Sequence, residues 1–269
     1  MGSNNVIGTI LGLERIKMNL TSQQICDGLC SLSTYNRYEC GRILPDKFMF
    51  LSLLERMGKN PNRVIYTITD EEEILSALMK KITDLMKTDD FEAIENSINE
   101  YSKVKKTRCK NIHLQFELAM RGDFANKKND KDEALSFYKE ALAQTCSQQV
   151  VQTKDLSLHT IMEFGLLYKI SYLEEFDSLN KMVEYLKKLD DNHILKIKFY
   201  GDMITDLVNL SDDKWKSHVQ LQYIEDGLAY KKRIKQSNGL SQLIEMKKAR
   251  QDEITEDEGI LIELDRMLG

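Results

Sequence analysis

The sequence predicts an all-α protein in which a segment of short helices precedes a longer series of helix pairs. Only two prolines occur, Pro45 and Pro61, so residues 62–269 contain none. A long stretch with so few helix-breaking residues favours helix throughout. Apolar residues make up 42% and charged residues 30% of the 269, which is typical of a globular protein with a sizeable core. A β-sandwich or a doubly wound α/β fold is poorly supported.

Composition also limits the cellular setting. The chain has no apolar run near the roughly 20 residues that a membrane span needs. Its five cysteines are an odd number without regular spacing, and no basic region followed by an apolar stretch marks a secretory signal. We therefore expect a cytoplasmic protein with reduced thiols and no membrane partner.

The charge is divided unevenly between the two segments. Residues 1–66 carry eight basic and five acidic side chains, a net charge of +3, whereas residues 67–269 carry 30 basic and 38 acidic side chains, a net charge of −8. A mildly basic N-terminal segment on an acidic body fits a small domain that binds nucleic acid.

Two domains are expected, over residues 4–66 and 69–269. The first, which we call the head, ends in a run of helix breakers and turn formers at residues 58–62. A short β-prone stretch at residues 64–68 is expected to connect the domains. Thr69 and the four acidic residues after it predict a helix N-cap with favourable charges in the first turn.

The second domain predicts an α-solenoid. Its candidate helices begin near residues 70, 90, 107, 131, 155, 174, 193, 216, 240 and 256. Every second helix begins about 40 residues after the last, which indicates stacked helical hairpins, although a bundle of amphipathic helices could give a similar pattern. The unit at residues 132–143 resembles the second helix of a tetratricopeptide repeat. That helix has a small, an aromatic and a second small residue at fixed positions, which here are Ala134, Tyr138 and Ala141.

The head contains two short helices joined by a tight turn. Thr21 and Gln24 form a capping box that opens the first helix. Ser31 can cap the second helix, which should stop at Gly41. Tyr35 and Tyr38, three positions apart, are expected to point into the core. The polar residues expected to face outward are Ser33, Thr34, Asn36 and Arg37. A short helix with small and polar outward residues is suited to the DNA major groove.

This segment resembles the helix-turn-helix of Xre/Cro-family regulators over about 55 residues. The pattern is matched by Leu20, Thr21, Cys26, Ser31, Asn36, Arg37, Glu39 and Gly41. The resemblance implies an ion pair between Arg15 and Glu39. It also implies a set of residues that contact DNA bases or lie near phosphates: Ser22, Ser31, Leu32, Ser33, Thr34, Asn36, Arg37, Arg42 and Lys47. The alternatives are a solvated surface role for Arg37 and a turn-forming role for Asn36.

No pattern in the chain indicates an enzyme or a metal site. Phosphate-binding loops, dinucleotide glycine motifs, nucleophile elbows and metalloprotease motifs are all missing from the sequence. The spacing of Cys26, Cys30 and Cys40 is not a usual zinc pattern, and no histidine lies near them. We therefore expect no catalytic residues, no metal and no cofactor.

The combination of head and repeats resembles the peptide-pheromone-responsive regulators of Gram-positive bacteria. Residues 156–173 and 50–64 are similar to segments of that group. The resemblance implies a transcription regulator active in quorum sensing, with double-stranded DNA and a short signalling peptide as partners, acting as a homodimer. Amide and carboxylate side chains can bond an extended peptide backbone. The candidates on the repeat helices are Asn111, Gln115, Glu163 and Asn209.

A second class of function fits the same sequence. The repeat domain could serve as a protein-interaction adaptor, with a head that no longer binds specific DNA. The intact pattern of Arg15, Glu39 and Gly41 argues against a decayed head. A third hypothesis is a repressor that senses a small apolar ligand, or none.

Overall fold

The computed structural model describes residues 3–59, 70–106, 108–146, 156, 158–174, 176–211, 214–235 and 239–252. Within these residues all the regular secondary structure is helical. The head contains α1 (Ser3–Lys17), α2 (Ser22–Cys26), α3 (Leu32–Glu39) and α4 (Lys47–Arg56).

Further helices follow the head in order along the chain. Their bounds are α5 (Asp70–Leu85), α6 (Phe91–Lys103), α7 (Lys110–Lys127), α8 (Lys131–Ala143), α9 (Ile161–Glu174), α10 (Phe176–Lys188), α11 (Ile194–Asn209), α12 (Ser217–Arg233) and α13 (240–252). Eight of the ten predicted starts fall within three residues of an observed start. The helix expected near residue 155 begins at Ile161, and the one expected near 256 lies outside the described residues.

Side-chain caps set the start of each short head helix. The hydroxyl of Thr21 accepts a hydrogen bond from the Gln24 N–H, and the Gln24 side chain accepts one from the Thr21 N–H, which confirms the predicted capping box. Ser31 caps α3 by accepting from the Thr34 N–H at 3.1 Å. Asp46 caps α4 in the same way through Met49.

The head has its own apolar core. Tyr35 is buried, as the sequence predicts, and so is Cys26, whose small side chain lets the neighbouring helix approach. The remaining core residues are Leu11, Ile25, Leu29, Met49, Phe50, Leu53, Leu54 and Met57. These side chains come from all four head helices, so burial of one shared core fixes their arrangement.

The pair α7–α8 shows how the repeat helices pack. Ala134, Tyr138 and Ala141 are all buried in α8, on the face predicted from their spacing. Gly122 of α7 lies against the Tyr138 ring, where an added Cβ would come within 2.5 Å of a ring carbon. The Tyr138 hydroxyl donates to Asp123 at 2.7 Å, so the ring is held in that position. Small residues on both helices therefore permit the close contact.

The chain divides into two compact units, residues 1–173 and 174–269. The first unit contains the head and the repeat helices to α9, and Phe48 of α4 joins the core that α5 to α9 form. The second unit is built on α10 to α13, with a core that includes Leu186, Met203, Ile224 and Leu243.

The second unit buries one charged side chain near the end of a helix. Lys231, in the last turn of α12, is buried and pairs with Asp202 at 3.1 Å. Thr69 and the expected connector at residues 64–68 lie outside the described residues. Among the helices that are described, none combines the length and apolar character needed for a membrane crossing.

Candidate nucleic-acid interface

Helices α2 and α3 form a helix-turn-helix whose turn is tightly fixed. Gly28 adopts a φ of +72°, which favours glycine, directly after the end of α2. The N–H groups of Leu29 and Cys30 both donate to the Cys26 carbonyl at 3.0 Å. Ser31 follows at once as the cap of α3, so the turn fixes where the second helix begins.

The outward face of α3 carries the predicted base-reading residues. Ser33, Asn36 and Arg37 are exposed, and Leu32 retains 41% of its surface. Thr34 is half-buried, and its hydroxyl shares a hydrogen bond with Ser31 at 2.9 Å. Arg37 presents a planar fork of donors suited to guanine, and Asn36 presents an amide suited to adenine.

The predicted phosphate contacts fall into three environments. Arg42 is exposed just beyond α3, and Ser31 is exposed at its start. Ser22 is half-buried, and its hydroxyl donates to Glu39 at 3.4 Å. Lys47 departs from its prediction, because its ammonium donates to the Ser76 hydroxyl of α5 at 3.0 Å and is directed toward the repeats.

An ion pair ties α1 to the end of α3. Arg15 Nη2 donates to Glu39 Oε1 at 2.6 Å, which confirms the predicted pair, and Nη1 donates to the Leu20 carbonyl at 2.8 Å. The hydrogen bond to Glu39 raises the pKa of Arg15. Gly12 leaves room for this carboxylate, since an added Cβ would lie 2.9 Å from its Oε1 atom.

Two of the predicted peptide contacts require correction. Gln115 is buried, and its amide donates to the Thr145 hydroxyl at 2.6 Å. Glu163 is completely buried and pairs with Arg56 at 2.8 Å. Both side chains already have internal partners and lack the exposure that contact with a peptide requires. The sequence pattern alone could not show that these side chains point into the core.

The other two predicted peptide contacts remain accessible. Asn111 and Asn209 are both exposed, on α7 and at the end of α11 respectively. Asn111 also lines a cavity of about 510 Å³ between the head and the start of α7. Asn111 and Asn209 belong to different compact units.

A buried group of polar residues that the sequence analysis missed connects the head to α9. Arg56, the last residue of α4, donates to the backbone carbonyls of Ile25 and Asp27 and to the Glu163 carboxylate. The relevant sequence pattern is the Glu55–Arg56 pair at the end of an otherwise apolar helix. From sequence, such a charged pair is equally consistent with a solvated helix end and with a buried contact between helices. Only its burial in the structure distinguishes these two possibilities.

The cysteines are not arranged for metal binding within the part of the chain that is described, where no group of three candidate ligands occurs. Cys26 and Cys146 are buried, and burial raises the pKa of the Cys30 thiol to about 12. Burial also raises the pKa of Cys109, which donates to Asp46 at 2.7 Å. These thiols are therefore in their unreactive protonated forms at neutral pH.

Comparisons with known proteins support the fold. No protein-family model and no curated protein matches the chain. Its fold is similar to the crystal structure of Bacillus thuringiensis PlcR in complex with the peptide PapR7 and DNA. The match has a TM-score of 0.51 and 14% sequence identity, and covers 93% of this chain and 88% of that chain. This similarity confirms the predicted all-α class, with a helix-turn-helix segment followed by tetratricopeptide-like helix pairs.

Proposed function

We propose that this protein is a sequence-specific DNA-binding transcription regulator with an Xre/Cro-type helix-turn-helix. The observation that carries the proposal is the exposed face of α3, where Ser33, Asn36 and Arg37 project from a helix fixed at both ends. Ser31 caps its start, and the Arg15–Glu39 ion pair holds its end. A helix presented in this way can enter the major groove without rearrangement of the head.

Arg37 is proposed to read guanine through two parallel hydrogen bonds and Asn36 to read adenine. Each such pair contributes about 1–3 kcal/mol of discrimination against a wrong base. Leu32 has no polar group, so its exposed side chain suits the thymine methyl. Arg42 and Ser31 would bind phosphates, which positions the helix without specifying sequence.

The repeat helices are proposed to bind a short peptide and to mediate homodimer formation. PlcR, whose fold is similar, was crystallised with a peptide and with DNA. Asn111 and Asn209 are the remaining candidates for peptide contact, because both are exposed amides on repeat helices. A dimer would place two reading helices on half-sites about 34–36 Å apart. The protein is proposed to act in the cytoplasm and to carry out no catalytic step.

The test is selection of genomic DNA fragments by the purified full-length protein at fixed, near-physiological salt. Wild-type protein is expected to enrich a palindromic site, and Arg37→Ala to lose most of that enrichment. Lys198→Ala is a matched control, since Lys198 is an exposed cation on α11 and its removal changes the net charge equally. Equal enrichment by all three proteins would reject base reading by Arg37.

A failed selection would point to a different function. If wild-type protein enriches no fragment, the same selection should be repeated at the same salt concentration in the presence of short peptides from cell extract. Continued absence of enrichment would reject the DNA-binding proposal and favour a protein-interaction adaptor.

A further inference from the structure

A cluster of buried polar residues connects the turn between α2 and α3 to the start of α9. We call Arg56, Thr145, Thr160 and Glu163 the head–repeat junction. The Arg56 side chain is 5% exposed, and its guanidinium donates to the Ile25 carbonyl at 3.1 Å and to the Asp27 carbonyl. Its other terminal nitrogen donates to the Thr145 carbonyl at 3.1 Å and to Glu163 at 2.8 Å. One side chain thus contacts α2, the end of α8 and α9.

Glu163 holds the opposite side of the junction. Its Oε1 atom also accepts from the Thr145 hydroxyl at 2.7 Å, and its Oε2 atom accepts from the Thr160 N–H at 2.7 Å. Burial opposes ionisation of this carboxyl, but the Arg56 charge and these hydrogen bonds outweigh burial and lower its pKa. A further bond runs from the Ile161 N–H to the Glu55 carboxylate at 3.1 Å, so α4 contacts the first turn of α9 twice.

The backbone that Arg56 contacts lies directly before α3 in sequence. Asp27 caps the end of α2, and Ser31 begins α3 four residues later. Gly28 packs so closely on Thr145 that an added Cβ would overlap its carbonyl oxygen. The backbone that determines where α3 starts is therefore in direct contact with the end of α8.

Stability alone is a poor explanation for such a junction. A buried ion pair loses much of its Coulomb energy to desolvation, and apolar residues of similar volume often serve as well. The directional bonds of a guanidinium and a carboxylate, in contrast, permit one relative placement of the parts that they join. The junction is suited to fixing orientation.

We infer that Arg56 and Glu163 are positioning residues that couple the start of α9 to the start of α3. The inference rests on the proposed function, because it assigns the coupling to a DNA reader. The reading residues Ser33, Asn36 and Arg37 stay exposed while the junction is closed, so the junction positions α3 and leaves its outer face uncovered. A displacement of α9 would be transmitted to the start of α3 through the hydrogen bonds that link Glu163 to Arg56 and Arg56 to Asp27.

The first experiment needs no DNA. Hydrogen exchange of the full-length protein is compared between wild type and Glu163→Gln, which keeps the side-chain shape and removes its charge. We expect exchange at the Leu29 and Cys30 amides to accelerate at least tenfold, although both lie more than 130 residues from the substitution. Glu117→Gln is the control, since Glu117 forms its ion pair with Arg121 within α7. Acceleration confined to α8 and α9 would overturn the inference.

A milder pair of variants covers the case in which Glu163→Gln does not fold. Thr145→Val removes the hydroxyl that donates to Glu163 and accepts from Gln115, whereas Thr145→Ser keeps both bonds. Valine is expected to accelerate exchange at Leu29 and Cys30 at least threefold, and serine to leave it at the wild-type rate. Equal rates for the two folded variants would show that the hydroxyl contact does not reach the reader.

The second experiment uses reciprocity, because coupling between two sites must act in both directions. A DNA fragment enriched by wild-type protein should slow exchange at the Thr160 and Ile161 amides at least threefold. The same fragment, at saturation, should leave these amides unchanged in Glu163→Gln. No slowing in wild type at saturating DNA would overturn the coupling. If wild type binds no DNA, the proposed function fails, whereas exchange in the free protein still tests the physical connection.

Discussion

The guanidinium of Arg15 and the carboxylate of Glu39 lie 2.6 Å apart and join the first helix of the head to the end of α3. Both side chains are largely buried, with 19% of each exposed. The two residues are 24 positions apart in sequence, so the pair is a tertiary contact. It orients the helix that carries Asn36 and Arg37.

Loss of this ion pair should destabilise the head. Arg15→Met keeps most of the side-chain packing and leaves Glu39 without its strongest partner. We expect the free energy of unfolding to fall by about 1.5–3 kcal/mol, the range for a hydrogen bond to a charged group. Urea denaturation measures the change. Lys17→Met is the control, because Lys17 is mostly exposed and its pair with Glu14 should contribute under about 1 kcal/mol. Equal losses would contradict this explanation.

Gly8 should tolerate no side chain. An added Cβ would lie 2.6 Å from the backbone carbonyl oxygens of Tyr38 and Glu39, and backbone cannot move aside cheaply. Gly8→Ala is therefore expected to cost about 1–3 kcal/mol by forcing α1 away from the end of α3, even though alanine favours helix. Thermal unfolding of the full-length protein measures it. Leu13→Ala, at an exposed position of the same helix, should change stability much less.

Arg37 and Arg42 should differ in how their removal affects DNA binding. Arg42→Ala is expected to weaken binding to all sequences and to reduce the slope of log affinity against log salt by about 1, because it removes one phosphate contact. Arg37→Ala should relax discrimination at one base pair. Affinity titrations at several salt concentrations, with the selected site and with single-base variants of it, separate these effects. An Arg42→Ala protein with altered base preference would contradict the assignment.

His113 should make stability fall in acid. Its ring is buried against the edge of Phe48, Nδ1 lies 2.6 Å from the Tyr101 hydroxyl, and burial lowers its pKa to about 4. The unfolded chain, with a histidine pKa near 6.5, takes up the proton first. The stabilisation is complete above pH 6.5 and declines as pH falls toward 4, by about 2 kcal/mol between pH 7 and pH 5.

The measurement is urea unfolding at pH 7 and at pH 5. His113→Gln should show a smaller difference between the two pH values than wild type does. The control is His218→Gln, since His218 is exposed on α12. A wild-type pH dependence that survives in His113→Gln would exclude this residue as its source.

Local patterns in the sequence were sufficient to predict the helix caps of the head and the outward face of α3. Thr21, Gln24 and Ser31 form the predicted caps, because a cap depends on residues three positions apart. The Arg15–Glu39 pair, a contact between distant residues, was predicted only through the resemblance to Xre/Cro regulators. The outward face of α3 followed from helical periodicity, which places Tyr35 inside and Ser33, Asn36 and Arg37 outside.

The repeat helices show where such patterns stop being informative. Their spacing predicted most of the starts, and Ala134, Tyr138 and Ala141 lie on the predicted buried face. Polar residues were harder to place, because a glutamine or glutamate reads as exposed unless its partner is known. Gln115 is buried, and its partner Thr145 lies 30 positions away, just beyond the end of α8.

The sequence by itself therefore determined the helical class, the caps of α2 and α3 and the residues on the outer face of α3, since these depend on short-range spacing and intrinsic preference. Only the tertiary structure decided that Lys47 turns toward Ser76 and that Glu163 is buried. It also showed that Arg56 joins the turn between α2 and α3 to α9. The physical reason is that a charged side chain can be buried only when a partner of opposite charge lies close to it in space. For Arg56 that partner is Glu163, 107 positions away in the chain.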